Sequence, residues 1–240
     1  MNAGRLIAVS DVHGCIHALE ALLAAIEPAA DDELVFLGDL IDGGANSREV
    51  LDAIIALQRR CRVVLIQGNH EEMLFGARES VEALRFWERC GGVATLNSYR
   101  FGGSLTEIPA EHWDLLAQGR PHYETEDFIF THANYLPESP LAEQPGHQLR
   151  WVLFDAEEQR PHCSGKPVVV GHTEQRSGDV LDLGFAACID TAGWRYGWVT
   201  AWQPQDKRMW QASRWGVLRE LGEAAPGEDL AKLLRVPAAT

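Results

Sequence analysis

The chain has 240 residues, 46% of them hydrophobic, and a formal charge of −14. Its length and apolar content suit one large domain with a real core. The acidic balance argues against nucleic acid or an anionic membrane as a partner, because gripping a phosphate backbone draws on Lys and Arg. The five cysteines, Cys15, Cys61, Cys90, Cys163 and Cys188, are scattered and form no C-x-x-C pair, as thiols in a reducing compartment do. No apolar run approaches the roughly eighteen residues of a membrane span. A cytoplasmic protein is expected.

Leu6-Ile7-Ala8-Val9 is a continuous apolar run, the pattern of a strand buried on both faces, and it ends in Ser10-Asp11-Val12-His13-Gly14. Ile16, Leu19, Leu22, Leu23 and Ile26 then recur at helical spacing. Leu34-Val35-Phe36-Leu37 repeats the arrangement and ends in Gly38-Asp39-Leu40-Ile41-Asp42-Gly43-Gly44. Asn46-Ser47 offers a helix cap before Val50, Leu51, Ile54, Ile55 and Leu57. A third run, Val63-Val64-Leu65-Ile66, ends in Gln67-Gly68-Asn69-His70-Glu71. Two successive strand–loop–helix units make right-handed parallel crossovers, which bring Asp11, Asp39 and Asn69 side by side at one sheet edge. Ligands bind at that edge in open α/β sheets.

From 71 to about 120 the text is helical and less regular, with Trp87, Gly91-Gly92 and Trp113 suggesting a cap-like insertion whose role is not legible. Strands resume at Phe128-Ile129-Phe130, ending in Thr131-His132-Ala133-Asn134, and at Pro167-Val168-Val169-Val170, ending in Gly171-His172-Thr173. Between them Pro137–Gly165 reads as a surface excursion with a helix-like piece near Trp151. Beyond His172 come short strands, Val180–Leu183, Ala187–Asp190, Trp198–Trp202 and Arg208–Gln211, as in an antiparallel meander. The expected domain spans 1–215, followed by an extension over 216–240 with one plausible helix, Asp229 to Leu234.

Asp11, His13, Asp39, Asp42, Asn69, His70, His132 and His172 all stand at expected strand ends. Carboxylate, imidazole and amide together suit a borderline divalent metal such as manganese, iron or zinc, whereas an all-oxygen set points to magnesium or calcium. The blocks Asp11-Val12-His13-Gly14, Gly38-Asp39-Leu40-Ile41-Asp42, Gly68-Asn69-His70-Glu71, His132-Ala133 and Gly171-His172 resemble the five signature blocks of calcineurin-like metallophosphoesterases. Gly-Asn-His-Glu and Gly-His-Thr resemble the phosphoprotein-phosphatase branch, which includes bacterial serine/threonine phosphatases and symmetrical diadenosine tetraphosphate hydrolases.

The resemblance implies a four-layer α/β/β/α sandwich of two mixed sheets with helices outside, and a centre of two divalent metal ions, manganese first among them. Asp11 and His13 would hold the first metal, Asp39 would bridge both, and Asn69, His132 and His172 would complete the second. Such a pair activates water for direct attack on phosphorus without a covalent intermediate. His70 matches the family's general acid rather than a ligand, with Asp42 accepting its other ring proton. The chain departs from the branch where Asp-Arg-Gly is usual: it has Asp42-Gly43-Gly44 and lacks that phosphate-gripping arginine. A second usual arginine falls on Leu153. Arg150 and Arg195 are the expected substitutes for substrate binding.

His17, His112, His122, His147 and His162 lie outside the blocks and read as surface or structural residues. Trp194, Trp198, Trp202, Trp210 and Trp215 read as sheet packing rather than a binding platform. The leading functional expectation is a phosphomonoesterase acting on phosphoserine or phosphothreonine in proteins, or on small phosphate esters. The alternative is a symmetrical dinucleoside polyphosphate hydrolase, which wants aromatic stacking and several basic residues. A binding protein that has lost turnover is the third reading. The sequence does not specify an oligomeric state.

Overall fold

Leu6–Val9 forms strand β1 in the computed structural model of the chain, which describes residues 4–219. Ile7 and Val9 point into a core beneath helices, and Leu6 and Ala8 point into a second core between two sheets. A strand covered on both faces needs an apolar residue at every position, hence the unbroken run. Strand β2 (Glu33–Phe36) divides in the same way, Leu34 and Phe36 to one core and Val35 to the other. Helices α1 (Ile16–Ile26) and α2 (Ser47–Leu57) are the crossovers that set β1, β2 and β3 (Arg62–Leu65) parallel. They lay Leu19, Leu22, Val50, Leu51 and Ile54 on the outer face of this sheet. Asn46 stands at the N-cap of α2 but makes no side-chain cap; its carbonyl accepts from Val50.

The stretch after β3 is a run of short helices, α3 (Asn69–Gly76), α4 (Val81–Trp87), α5 (Val93–Tyr99) and α6 (Ala110–Leu116), with a π-helical turn at Glu88–Gly92. Met73, Leu74, Trp87, Leu96 and Leu115 bury it against the same core as α1 and α2.

The second sheet holds β4 (His122–Glu124), β5 (Ile129–Thr131), β6 (Val168–Val170), β7 (Leu181–Asp182) and β8 (Ala186–Cys188), in the order β4-β5-β6-β8-β7. Phe130, Val169, Ala187 and Ile189 face the first sheet. Ile129, Val168, Val170 and Cys188 face outward beneath Tyr135, Leu141 and Phe154. This outer layer is the excursion between β5 and β6, with a 3₁₀ turn at Leu141–Glu143 and helix α7 (Gly146–Trp151). Two mixed sheets packed face to face with helices outside are the architecture that the signature blocks imply.

The expected meander beyond His172 is corrected. The β7–β8 hairpin belongs to the second sheet, where β8 also pairs parallel with β6. The chain then crosses, and β9 (Val199–Gln203) and β10 (Arg208–Ala212) form an antiparallel hairpin on the edge of the first sheet, in the order β10-β9-β1-β2-β3. Ala187 faces the first sheet and Ala186 and Cys188 the outer layer, so β8 is covered on both faces, while β6 and β7 pair with its two edges. Past β10, Leu218 pairs with Ala212 and Arg219 donates to the Gln211 carbonyl at 2.9 Å. The expected helix Asp229–Leu234 lies outside the described residues. Among those described, no helix is long and apolar enough to cross a membrane.

Candidate metal centre

The expected donors come from five loops at strand C-terminal ends: Asp11 and His13 after β1, Asp39 and Asp42 after β2, Asn69 and His70 after β3, His132 after β5 and His172 after β6. Aiming these side chains inward takes sharp reversals. His13, Asp39, Asp42 and His172 all adopt left-handed backbone, with φ of 45°, 48°, 72° and 62°. Such conformations cost energy in non-glycine residues and persist where surrounding structure enforces them. The Val12 and His13 amides donate to the Asp39 carbonyl at 3.0 and 2.8 Å. Glu71, buried at the start of α3, accepts from the amides of Asp39, Leu40 and Gly68 at 2.9, 2.8 and 3.0 Å, tying the second loop to the third. Gly68 is required there, since a Cβ would lie 2.1 Å from Asp39 Oδ1.

Asp39 is the meeting point. Its carboxylate, with His13 and His70, forms one group of potential ligand atoms within 4.8 Å of one another, and with His132 and His172 it forms a second. Asn69 joins the second: its side-chain oxygen lies 3.0 Å from His132 Nε2. Asp11 is buried beside them but outside both groups, each oxygen 3.1 Å from the His172 amide. Each ligand imidazole is oriented through its far nitrogen. His13 Nδ1 is 3.0 Å from the Ile41 carbonyl, His132 Nδ1 2.8 Å from that of Leu37, and His172 Nε2 3.2 Å from that of Trp151. A carbonyl only accepts, so those nitrogens carry the proton and the inward ones are bare lone pairs.

These donors fit divalent cations on structural grounds. The amide oxygen position of Asn69 is surrounded by acceptors alone, at 3.0–3.2 Å: both Asp39 oxygens, His132 Nε2 and His172 Nδ1. Burial pushes Asp39 up to about 8 and Asp11 well above the carboxylate range, the latter raised further by the charges of Asp190 and Asp39. Burial also lowers His13, His132 and His172, keeping them neutral. Buried carboxylates and bare imidazole nitrogens aimed at one another lack a positive charge, and a cation supplies it.

His70 differs from the other imidazoles. Its Nδ1 lies 2.7 Å from Asp42 Oδ2, leaving Nε2 on the cavity side, 3.9 Å from Asp39. Burial opposes its charge, but Asp39 and the bond to Asp42 outweigh that and raise it to about 9. Asp42, fully buried, is also held from α4 and α5. Trp87 Nε1 donates to Oδ2 at 2.7 Å and Thr95 Oγ1 to Oδ1 at 2.6 Å. Nothing in the sequence links Thr95 to Asp42, 53 positions away.

A cavity of 590 Å³ opens over the centre. Arg195 lines it. Arg150 is corrected: it does not line the cavity, and its Nε and Nη2 are committed to Glu72 at 3.0 and 2.9 Å. Leu153, at the position of the family's second arginine, lines it as an exposed apolar residue. Arg89, from the π-helical turn, and Arg176, past His172, also line it and escaped sequence reading. The tryptophans divide. Trp202 lies between the sheets and Trp210 packs on the helical side. Trp194, on a loop, packs against the same core as Trp210 and in addition lines the cavity, its ring centroid 5.6 Å from that of His13.

Fold and donor set together define a sheet-edge centre suited to divalent cations. The chain belongs to the calcineurin-like phosphoesterase family, whose model matches residues 4–173. It is similar to a symmetrical bis(5'-nucleosyl)-tetraphosphatase of Burkholderia thailandensis, 36% identical over 136 residues covering 55% of this chain and 43% of the relative. The enzyme of the same name from Pasteurella multocida is 28% identical over 148 residues, 60% of this chain and 50% of that one. The matches thus span about half the length of these relatives. Among solved structures, a candidate diadenosine tetraphosphatase superposes with a TM-score of 0.67 at 20% identity, covering 92% of this chain and 96% of the other. A Saccharomyces cerevisiae serine/threonine phosphatase does so with 0.61 at 15%, covering 94% and 84%. Both likenesses concern the fold.

Proposed function

We propose that the chain hydrolyses a dinucleoside polyphosphate, cleaving a phosphoanhydride symmetrically. One observation carries this reading: three guanidiniums, Arg89, Arg176 and Arg195, share the mouth of the metal centre with an indole, Trp194. A phosphomonoester presents one group to grip, whereas a polyphosphate chain presents several anions and ends in bases that stack. The names of the curated relatives support the same reading. The phosphoserine/phosphothreonine reading, foremost in the sequence, has no observation in its particular favour.

Asp11, His13 and Asp39 would hold one cation, and Asp39, Asn69, His132 and His172 the other. Bound there, divalent cations lower the pKa of water and offset charge on the phosphoryl oxygens. The arginines orient the phosphates. His70 keeps a proton at Nε2 for the leaving oxygen, while Asp42 fixes the ring through Nδ1. The test is a parallel turnover of diadenosine tetraphosphate and a phosphoserine peptide by the purified chain with manganese. The expected outcome is kcat/KM at least about tenfold higher for the dinucleotide, with ADP as the sole nucleotide product. Faster peptide turnover, or AMP plus ATP as products, overturns it.

A further inference from the structure

Position 43 is a glycine with φ of 76°, and a Cβ there would lie 2.9 Å from the Trp194 ring. The indole fills the space into which a side chain at 43 would grow. On its ring it carries Arg195, whose Cζ is 4.4 Å from the ring centroid. Glu174 Oε1 lies 2.7 Å from Arg195 Nε, an ion pair that steers the guanidinium, and among the described residues its two Nη groups hold no hydrogen bond. The supporting loop is stiff. The amides of Arg195, Tyr196 and Gly197 all donate to the Ala192 carbonyl at 2.9–3.2 Å, and Arg214 Nη1 donates to the Trp194 carbonyl at 3.0 Å.

We propose that Trp194 is a positioning residue that holds Arg195 at the metal centre as the phosphate-gripping guanidinium that Gly43 cannot supply. Gly43 gives up its own side chain, the indole occupies that volume beside His13, and the guanidinium stacks on the indole. Glycine at 43 and tryptophan at 194 are then one device. The inference rests on the hydrolase reading only in needing a phosphate at the centre; it does not depend on which phosphoester is the substrate.

The experiment uses the full chain loaded with manganese and the variants Arg195→Ala, Trp194→Leu, Trp194→Phe and the double Trp194→Leu/Arg195→Ala. Inorganic phosphate is the probe: its dissociation constant by calorimetry, and its competitive inhibition of aryl phosphate hydrolysis. Metal content and the melting midpoint are measured alongside. Arg195→Ala is expected to weaken phosphate roughly 10- to 100-fold, the worth of a charged hydrogen bond. Trp194→Leu, which fills space without a π face, weakens it roughly 3- to 30-fold. Trp194→Phe stays within about threefold of the parent, since the ring face remains. The double variant binds no worse than Arg195→Ala. Phosphate affinity unchanged in Arg195→Ala, equal affinities in the Phe and Leu variants, or a double variant that multiplies the single losses would each overturn the proposal. Because the probe is inorganic phosphate, a failure here is distinct from diadenosine tetraphosphate proving a poor substrate.

Discussion

Thr95→Val keeps the volume of a side chain in α5 and removes one hydroxyl from Asp42. That hydroxyl donates to Asp42 Oδ1 at 2.6 Å and accepts from the Asp42 amide at 2.9 Å, inside a site where Asp42 is fully buried. The amide retains Ser47 Oγ at 3.2 Å, so the main loss is the bond to a buried carboxylate. Hydrogen bonds to charged groups contribute about 1.5–3 kcal/mol. For a chain of this size, about 2–4 °C per kcal/mol makes the expected fall in Tm roughly 3–12 °C. With one donor fewer, Asp42 holds the His70 proton more tightly, and kcat with saturating manganese is expected to fall about tenfold. Denaturant unfolding and steady-state kinetics on parent, Thr95→Val and Thr95→Ser measure both effects. Serine restores the hydroxyl and is expected to recover kcat. A Val variant within about 0.5 kcal/mol of the parent and with unchanged kcat would refute the argument, because it would mean that Asp42 does not depend on this donor.

His70→Asn is expected to lower kcat by about 10²–10⁴-fold on an alkyl phosphate and much less on a nitrophenyl ester, whose leaving group needs no proton; equal losses on both would remove the acid role. Chelation is expected to abolish turnover and lower Tm, with manganese, iron or zinc restoring both, and metal analysis should return two ions per chain. Burial raises the Asp32 carboxyl, but the Arg5 guanidinium, 3.1 Å from Oδ1, together with the Ala29 and Arg5 amides, holds it below its usual range. A depressed carboxylate stabilises above its unfolded pKa and loses that stabilisation as pH falls through the folded value. Arg5→Met is thus expected to cost about 1 kcal/mol at pH 7, with the gap to the parent closing below about pH 4. A gap constant with pH would show that the ion pair is not its source.

The strand runs and ligand blocks were legible because each rests on local pattern. Leu6–Val9 and Leu34–Phe36 are apolar throughout, being buried on both faces, and polar donors follow them directly. What stayed hidden is whatever depends on distant packing. Trp194 sits among other tryptophans in the sequence, and only the crossing between sheets, from Cys188 to Val199, swings it into the cavity wall. Arg150 looked available because its partner Glu72 lies 78 residues earlier. Glu71 stood inside a recognised block, yet its hold on the Asp39 and Leu40 amides has no local signature.

The bonds from Trp87 and Thr95 to Asp42 also bear on protein engineering. Exchanging the 71–120 segment for that of a relative, the obvious route to a new specificity, would strip the carboxylate behind His70 of both of its tethers. Chimaeras at this junction should therefore fail in turnover before they fail in recognition, unless an indole and a hydroxyl are grafted at the matching places.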